Sequence, residues 1–208
     1  MPRVPDIDPF YLIVPDAAHV ARFARLGVRT IQLRYKPASP ALIRPEIAAA
    51  MEATMGTPCQ LVVNDHWREA LSVGCDYVHL GQEDLADADL ATLKAAGIRI
   101  GISTHDASEL AIALAAEPDY VALGPIFPTT TKSTGRAAQG VARLTEWTAK
   151  LGEIPLVAIG GITLELAPSA IAAGAQSCAV VGDVLNHTTP ERRAREWLAW
   201  SDVNLQRA

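Results

Sequence analysis

Four groups of residues in this chain have the types and spacing to handle a phosphorylated molecule. Thr129, Thr130, Thr131 and Lys132 place three hydroxyls and one ammonium in succession, directly after the stretch GPIFP at 124–128. Hydroxyl donors and a mobile point charge suit a cluster of anionic oxygens, and phosphate is the natural guest. Taken alone, such a run is also what a solvated polar turn looks like. A second group lies in IQLRYK at 31–36, where the two-residue period of a strand puts Gln32, Arg34 and Lys36 on one side and Ile31 and Leu33 on the other. With the apolar side against helices, two cations face an interior, which is costly unless an anion compensates them. Charges reaching out to solvent from a strand end are the plainer alternative.

A third pair is Asp65, ending VND at 63–65, and Asp84, in GQED at 81–84. Two carboxylates following successive strands could share one hard cation, and Mg2+ is bound in this way, with water and substrate phosphates filling its other positions. Either aspartate alone could instead cap a helix. The fourth group is backbone: Gly160-Gly161 and Val181-Gly182 offer amides that can approach a phosphate closely. Ser103, in GISTH at 101–105, offers a hydroxyl to the polar edge of a heterocycle. His79 and His105 are tempting acid–base groups, but a hydrogen-bonded place in the core or at a rim suits each better. His66 and His187 have no partner at metal-ligand spacing.

These groups need a scaffold that presents strand ends together. Short apolar runs alternate with helical periodicity along the whole chain. Strands are expected at 10–14, 30–36, 60–64, 77–80, 99–103, 120–123, 156–159 and 177–181. Helices are expected after Pro15-Asp16, from Pro40, at 67–73, 88–96, 107–116, 141–151 and 164–173, and from Pro190. Gly124-Pro125 ends the sixth strand, because proline cannot donate to the ladder. Eight strand–helix units suggest an α/β single-domain (β/α)8 barrel over residues 1–208, smaller than the typical size of about 250 residues. A doubly wound open sheet is the alternative. DYVHLG at 76–81 and DYVALG at 119–124 nearly repeat, as equivalent positions of a barrel would. In such a barrel the working groups sit at the C-terminal strand ends and the loops after them, where all four groups above fall.

Composition narrows the class. The chain has 208 residues, half of them apolar, and a formal net charge of −5. The acidic balance argues against a nucleic-acid partner, and no basic run is offered to a membrane surface. No apolar run reaches the length of a membrane span. Cys59, Cys75 and Cys178 lack metal spacing and sit among apolar residues, which fits reduced thiols in a cytoplasmic protein. Trp197 and Trp200, near the C-terminus, offer a surface for a homo-oligomeric contact.

Taken together, QLRYK at 32–36, VND at 63–65, HLGQEDL at 79–85, GISTH at 101–105, LGPIFPTTTK at 123–132 and AIGGI at 158–162 resemble thiamine-phosphate synthase, in order and from about Phe10 to Val184. The resemblance implies a magnesium-dependent (β/α)8 transferase that joins a hydroxymethylpyrimidine diphosphate to a (carboxy)thiazole phosphate and releases diphosphate. It implies that Gln32, Arg34, Lys36, Asn64, Ser103 and Lys132 hold the pyrimidine diphosphate, with Arg34, Lys36 and Lys132 stabilising the departing group. It places magnesium on Asp65 and Asp84, and the thiazole phosphate on Thr129, Thr130, Thr131, Gly161, Val181 and Gly182. Tyr35 stands where the family often has glutamate, on the outward side of its strand. Gly182-Asp183 stands where the family commonly shows serine and a small residue, so a hydroxyl is lost and a carboxylate added near the expected phosphate. Two other activities are compatible with this fold: a related thiazole tautomerase, an isomerase, and a non-catalytic sensor of phosphorylated thiamine precursors. Retention of Lys36, Asp84 and Lys132 argues against the first. The paired aspartates argue against the second, since capture alone need not activate a leaving group.

Overall fold

The computed structural model describes residues 7–129 and 137–205. Its strands are β1 (Phe10–Val14), β2 (Thr30–Leu33), β3 (Gln60–Asn64), β4 (Tyr77–Leu80), β5 (Arg99–Thr104), β6 (Tyr120–Leu123), β7 (Leu156–Ile159) and β8 (Ser177–Val180). They pair in parallel in chain order, and β1 also pairs with β8, Tyr11 opposite Ala179, which closes the barrel. The open-sheet alternative is thereby excluded. Helices α1 (Ala17–Ala24), α2 (Ile43–Thr54), α3 (Trp67–Val73), α4 (Gln82–Asp87), α5 (Leu90–Ala95), α6 (Ala107–Ala115), α7 (Val141–Leu151), α8 (Ala167–Ala172), α9 (Gly182–Leu185) and α10 (Pro190–Leu205) alternate with the strands. Among the described residues no helix is long and apolar enough to cross a membrane.

Strand alternation produces two apolar layers. Leu12, Ile31, Leu33, Val63, Val78 and Leu80 face outward and join the helices in the larger core. Tyr11, Ile13, Val62, Tyr77, Tyr120, Val157 and Ala179 fill the barrel itself. The strands are therefore covered on both faces, which is why they read as nearly continuous apolar runs. Gly101 on β5 is required by its neighbour, since a Cβ there would fall within the Tyr120 ring. The near-repeat of β4 and β6 has a physical basis, because Tyr77 and Tyr120 both point inward, their rings 5.8 Å apart and steeply inclined.

Several boundaries differ from those expected. The second strand ends at Leu33, although the Arg34 amide still donates to Val14 at 2.8 Å. The helix expected at 88–96 is α5, at Leu90–Ala95, whereas α4 and α9 were not expected. Caps behave as their residues dictate: Asp16, Asp89 and Asp106 each accept an amide N–H at the start of α1, α5 and α6. At the N-terminal end of the barrel, buried Asp8 binds Arg29 and Ser201, tying α10 to β1 and β2. Trp197 is wholly buried and stacks on Phe10 with centroids 5.1 Å apart. Its surface is spent inside the chain, which corrects the expectation that it serves a subunit contact; Trp200 packs edge-on against it at 5.2 Å.

Candidate functional site

The C-terminal mouth of the barrel holds a cleft of about 720 Å³. Gln32 and Arg34 enter it from the end of β2, Asn64 from β3 and Ser103 from β5. Thr129 borders it after β6, Gly161 after β7, and Val181 and Gly182 after β8. Eight of the expected residues thus surround one opening. Thr130, Thr131 and Lys132 lie outside the described residues. A smaller depression of about 290 Å³ holds Lys36, Asp65 and Asp84. Asp65 directly follows Asn64, so the two depressions meet at the end of β3.

Alternation holds within β2 for Gln32, and Arg34 beyond its end also lines the cleft, but Lys36 is exposed at the rim, which corrects the expectation that two cations face the interior. Gln32 is buried and its amide donates to the Tyr11 hydroxyl inside the barrel at 2.8 Å. Tyr35 packs against the outer core. Lys36 reaches across to bind Asp65. Asp65 has φ of +64°, a left-handed conformation that Asp tolerates better than most residues but that still carries strain. Its side chain does not cap α3, whose cap position is His66, and Asp84 sits within the first turn of α4 rather than ahead of it. Neither aspartate takes the helix-capping role.

The two carboxyls instead line the same depression, close enough that each perturbs the other. Burial, and then the negative charge of Asp65, raises Asp84 above the ordinary carboxylate range. Burial also acts to raise Asp65, but the hydrogen bond and charge of Lys36 outweigh it and hold Asp65 below that range. Two carboxyls that perturb each other in this way are the electrostatic situation that a divalent cation relieves. Gly81 leaves room for this, since a Cβ there would lie 3.1 Å from an Asp84 oxygen. Among the described residues no group of three or more His, Cys, Asp or Glu side chains meets. A cation at this pair would draw its remaining ligands from water and bound phosphates, as magnesium does.

The side of the cleft expected to take a phosphate is built from backbone. Phe127 and Ile126 amides donate to Gly160 and Ile159, zipping the segment after β6 onto the end of β7. Gly161 has φ of +68°, and a Cβ there would lie 2.5 Å from the Pro128 carbonyl oxygen, so only glycine fits on both counts. Gly182 opens α9, where the first amides lack intrahelical partners, and it is not among the residues of positive φ. The added carboxylate of Asp183 is already engaged: it accepts from Arg193 Nε at 2.8 Å and from Trp197 Nε1 at 2.7 Å. The same guanidinium holds Glu165 down to about 2.

Four contributors, Gln82, Gln139, Tyr11 and Tyr120, were not singled out by sequence, whereas two histidines were. His79, expected to be a bonded core or rim histidine, is one, and it links Tyr120 at 2.6 Å to Ser103 Oγ at 2.7 Å. His105, the other tempting acid–base group, pairs with Glu109 at 2.6 Å on the rim. Gln82 Nε2 donates to the Ser103 carbonyl at 2.6 Å, fixing the backbone behind the serine. Gln139 Nε2 donates to the Gly124 carbonyl at 2.9 Å, anchoring the chain where it returns to the mouth. Tyr11 and Tyr120 carry hydroxyls deep inside the barrel that an apolar strand pattern conceals.

A family model described as thiamine monophosphate synthase matches residues 10–184. The chain is 53% identical over 193 residues to a thiamine-phosphate synthase of Rhizobium etli, covering 93% of this chain and 95% of that one. It is 45% identical over 193 residues to a thiamine-phosphate synthase of Neisseria meningitidis serogroup B, covering 93% and 94%. Among solved structures, a thiamine phosphate pyrophosphorylase from Pyrococcus furiosus superposes with a TM-score of 0.80 at 26% identity, over 94% of this chain and 96% of its own.

Proposed function

The chain belongs to the thiamine monophosphate synthase family and is a transferase of that family, and on that premise we propose that it condenses 4-amino-5-hydroxymethyl-2-methylpyrimidine diphosphate with a (carboxy)thiazole phosphate to give thiamine phosphate and diphosphate, with carbon dioxide also released when the thiazole is carboxylated. The observation that carries this reading is the meeting, at one mouth, of a cleft lined by Gln32, Arg34 and Asn64 with the Asp65 and Asp84 carboxylates, Lys36 being bound to Asp65. In this reading Gln32, Asn64 and Ser103 orient the pyrimidine, while Arg34, Lys36 and Lys132 neutralise its diphosphate. Thr129, Thr130 and Thr131 with the amides at Gly161, Val181 and Gly182 hold the thiazole phosphate.

The bond between the pyrimidine methylene carbon and the diphosphate oxygen breaks, diphosphate keeping the electron pair. The thiazole nitrogen then donates its lone pair to that carbon. The electron-rich pyrimidine carries the positive charge in between, so no protein nucleophile is required. When bound at Asp65 and Asp84, magnesium would add positive charge beside the departing diphosphate. The chain's own contribution is preorganised charge, together with proximity of two held substrates.

Diphosphate release from the purified protein, followed with both substrates and magnesium, tests the reading. The expected result is one diphosphate per thiamine phosphate formed. Isomerisation of the thiazole without diphosphate release would reveal a tautomerase instead, and saturable binding without turnover would reveal a sensor.

A further inference from the structure

Inside the barrel, a file of hydrogen bonds joins two residues that line the cleft, Gln32 on β2 and Ser103 on β5. Gln32 Nε2 donates to the Tyr11 hydroxyl at 2.8 Å. The Tyr11 and Tyr120 hydroxyls lie 2.9 Å apart, Tyr120 lies 2.6 Å from His79 Nδ1, and His79 Nε2 lies 2.7 Å from Ser103 Oγ. The stacked rings of His79 and Tyr120, 5.5 Å apart at 20°, hold this alignment. Both phenols are fully enclosed, and burial pushes each well above its ordinary range, so each keeps its one proton.

With one proton per hydroxyl, the file has a direction. An amide nitrogen cannot accept, so Tyr11 accepts from Gln32 and its own proton goes on to Tyr120. Tyr120 then gives its proton to His79 Nδ1, which leaves the imidazole N–H on Nε2, aimed at Ser103 Oγ. Ser103 accepts that bond, and its own proton is left for the cleft. At the other end, the Gln32 atom left for the cleft is its carbonyl oxygen. One end of the file therefore accepts and the other donates.

We infer that Tyr11, Tyr120 and His79 are positioning residues whose hydrogen-bond file fixes Gln32 as an acceptor and Ser103 as a donor, so that the cleft selects an aminated nitrogen heterocycle. Such a ring gives an amino hydrogen to Gln32 Oε1 and receives the Ser103 proton on a ring nitrogen. A ring with a carbonyl and a protonated nitrogen at those places meets the wrong group at both ends, leaving polar groups unpaired. The inference rests on the pyrimidine reading above and adds what sets its specificity.

The file is read first in the ligand-free protein, by ¹⁵N NMR of histidine-labelled material with His79 assigned through His79→Asn. The expected parent spectrum shows a protonated Nε2 and an unprotonated Nδ1. Tyr120→Phe removes the donor to Nδ1 and should shift His79 toward a mixture of tautomers. Tyr11→Phe leaves Tyr120 in place and should keep the Nε2–H form, a distinction that general loosening of the core would not produce. Calorimetry with the aminopyrimidine diphosphate in magnesium should then show Kd rising about tenfold in Tyr120→Phe, the scale of one neutral hydrogen bond. With an analogue in which the ring nitrogen facing Ser103 is replaced by C–H, parent and Tyr120→Phe should agree within about twofold. A protonated Nδ1 in the parent, identical tautomers in both tyrosine variants, or an equal penalty for the two ligands overturns the inference. Absence of any pyrimidine diphosphate binding to the parent overturns the functional reading beneath it.

Discussion

Asp84 is the residue at which electrostatics and chemistry meet most directly. Its carboxyl is raised by burial and by Asp65, so in the protein alone it adds repulsion rather than stability. Asp84→Ala should therefore fold at least as well as the parent, with an equal or slightly higher melting temperature. Its turnover, followed as diphosphate release in saturating magnesium, should fall by about a hundredfold, the scale of losing charge stabilisation from a metal. Chelator should abolish parent activity and added magnesium restore it; full activity in chelator would falsify the metal assignment. Gly182 tests the phosphate side. A serine hydroxyl there adds one bond to a charged group, worth roughly 1.5 to 3 kcal/mol, and the backbone at this position is not in the left-handed region that would strain a side chain. Gly182→Ser should tighten the Michaelis constant for thiazole phosphate about tenfold with turnover nearly unchanged. A change in turnover alone would mean that this loop does not hold that phosphate.

At the scale of the elements, Asp183 in α9 turns out to be a bracket between α9 and α10 rather than a charge facing the phosphate. Its carboxylate and the Arg193 guanidinium are each only 11% exposed, and removal of one partner of such a pair leaves the other charge poorly compensated. Asp183→Ala should lose about 3 kcal/mol in urea unfolding, while affinity for thiazole phosphate changes less than twofold. The strands were legible in the sequence because each is bounded by turn residues and buried on both faces, and the alternation on β2 sorted Gln32 from Ile31 and Leu33, while Arg34 and Lys36 lie past its end. The helices α4 and α9 were not. Residues 82–87 read QEDLAD, with one buried apolar residue and so no period, and α9 is four residues set by the turn after β8. The strand-end positions of Asp65, Asp84 and Ser103 could be read, but the inward hydroxyls of Tyr11 and Tyr120 could not. A tyrosine in an apolar strand looks like any other aromatic core residue until its neighbours across the barrel are known.

For the molecule as a whole, α10 is as much a part of the barrel as the strands, although the family match ends at residue 184. Trp197 fills the space over Phe10 and donates to Asp183, and Ser201 reaches Asp8. Trp197→Ala should cost about 3 to 5 kcal/mol, measured by urea unfolding, with a corresponding loss of soluble protein on heating. The pairing of β1 with β8 has a further consequence for how the chain is made. While a ribosome is still synthesising this protein, β1 can find β2 early, but its other edge stays open until residues 177–180 have emerged. Bonds such as that from the Cys178 amide to the Pro9 carbonyl are among the last to become available. An unpaired parallel edge is a site for association with other chains. Nascent chains stalled before β8 should therefore be protease-sensitive and bound by chaperones, and the ring should close in one late step once the final strand is delivered.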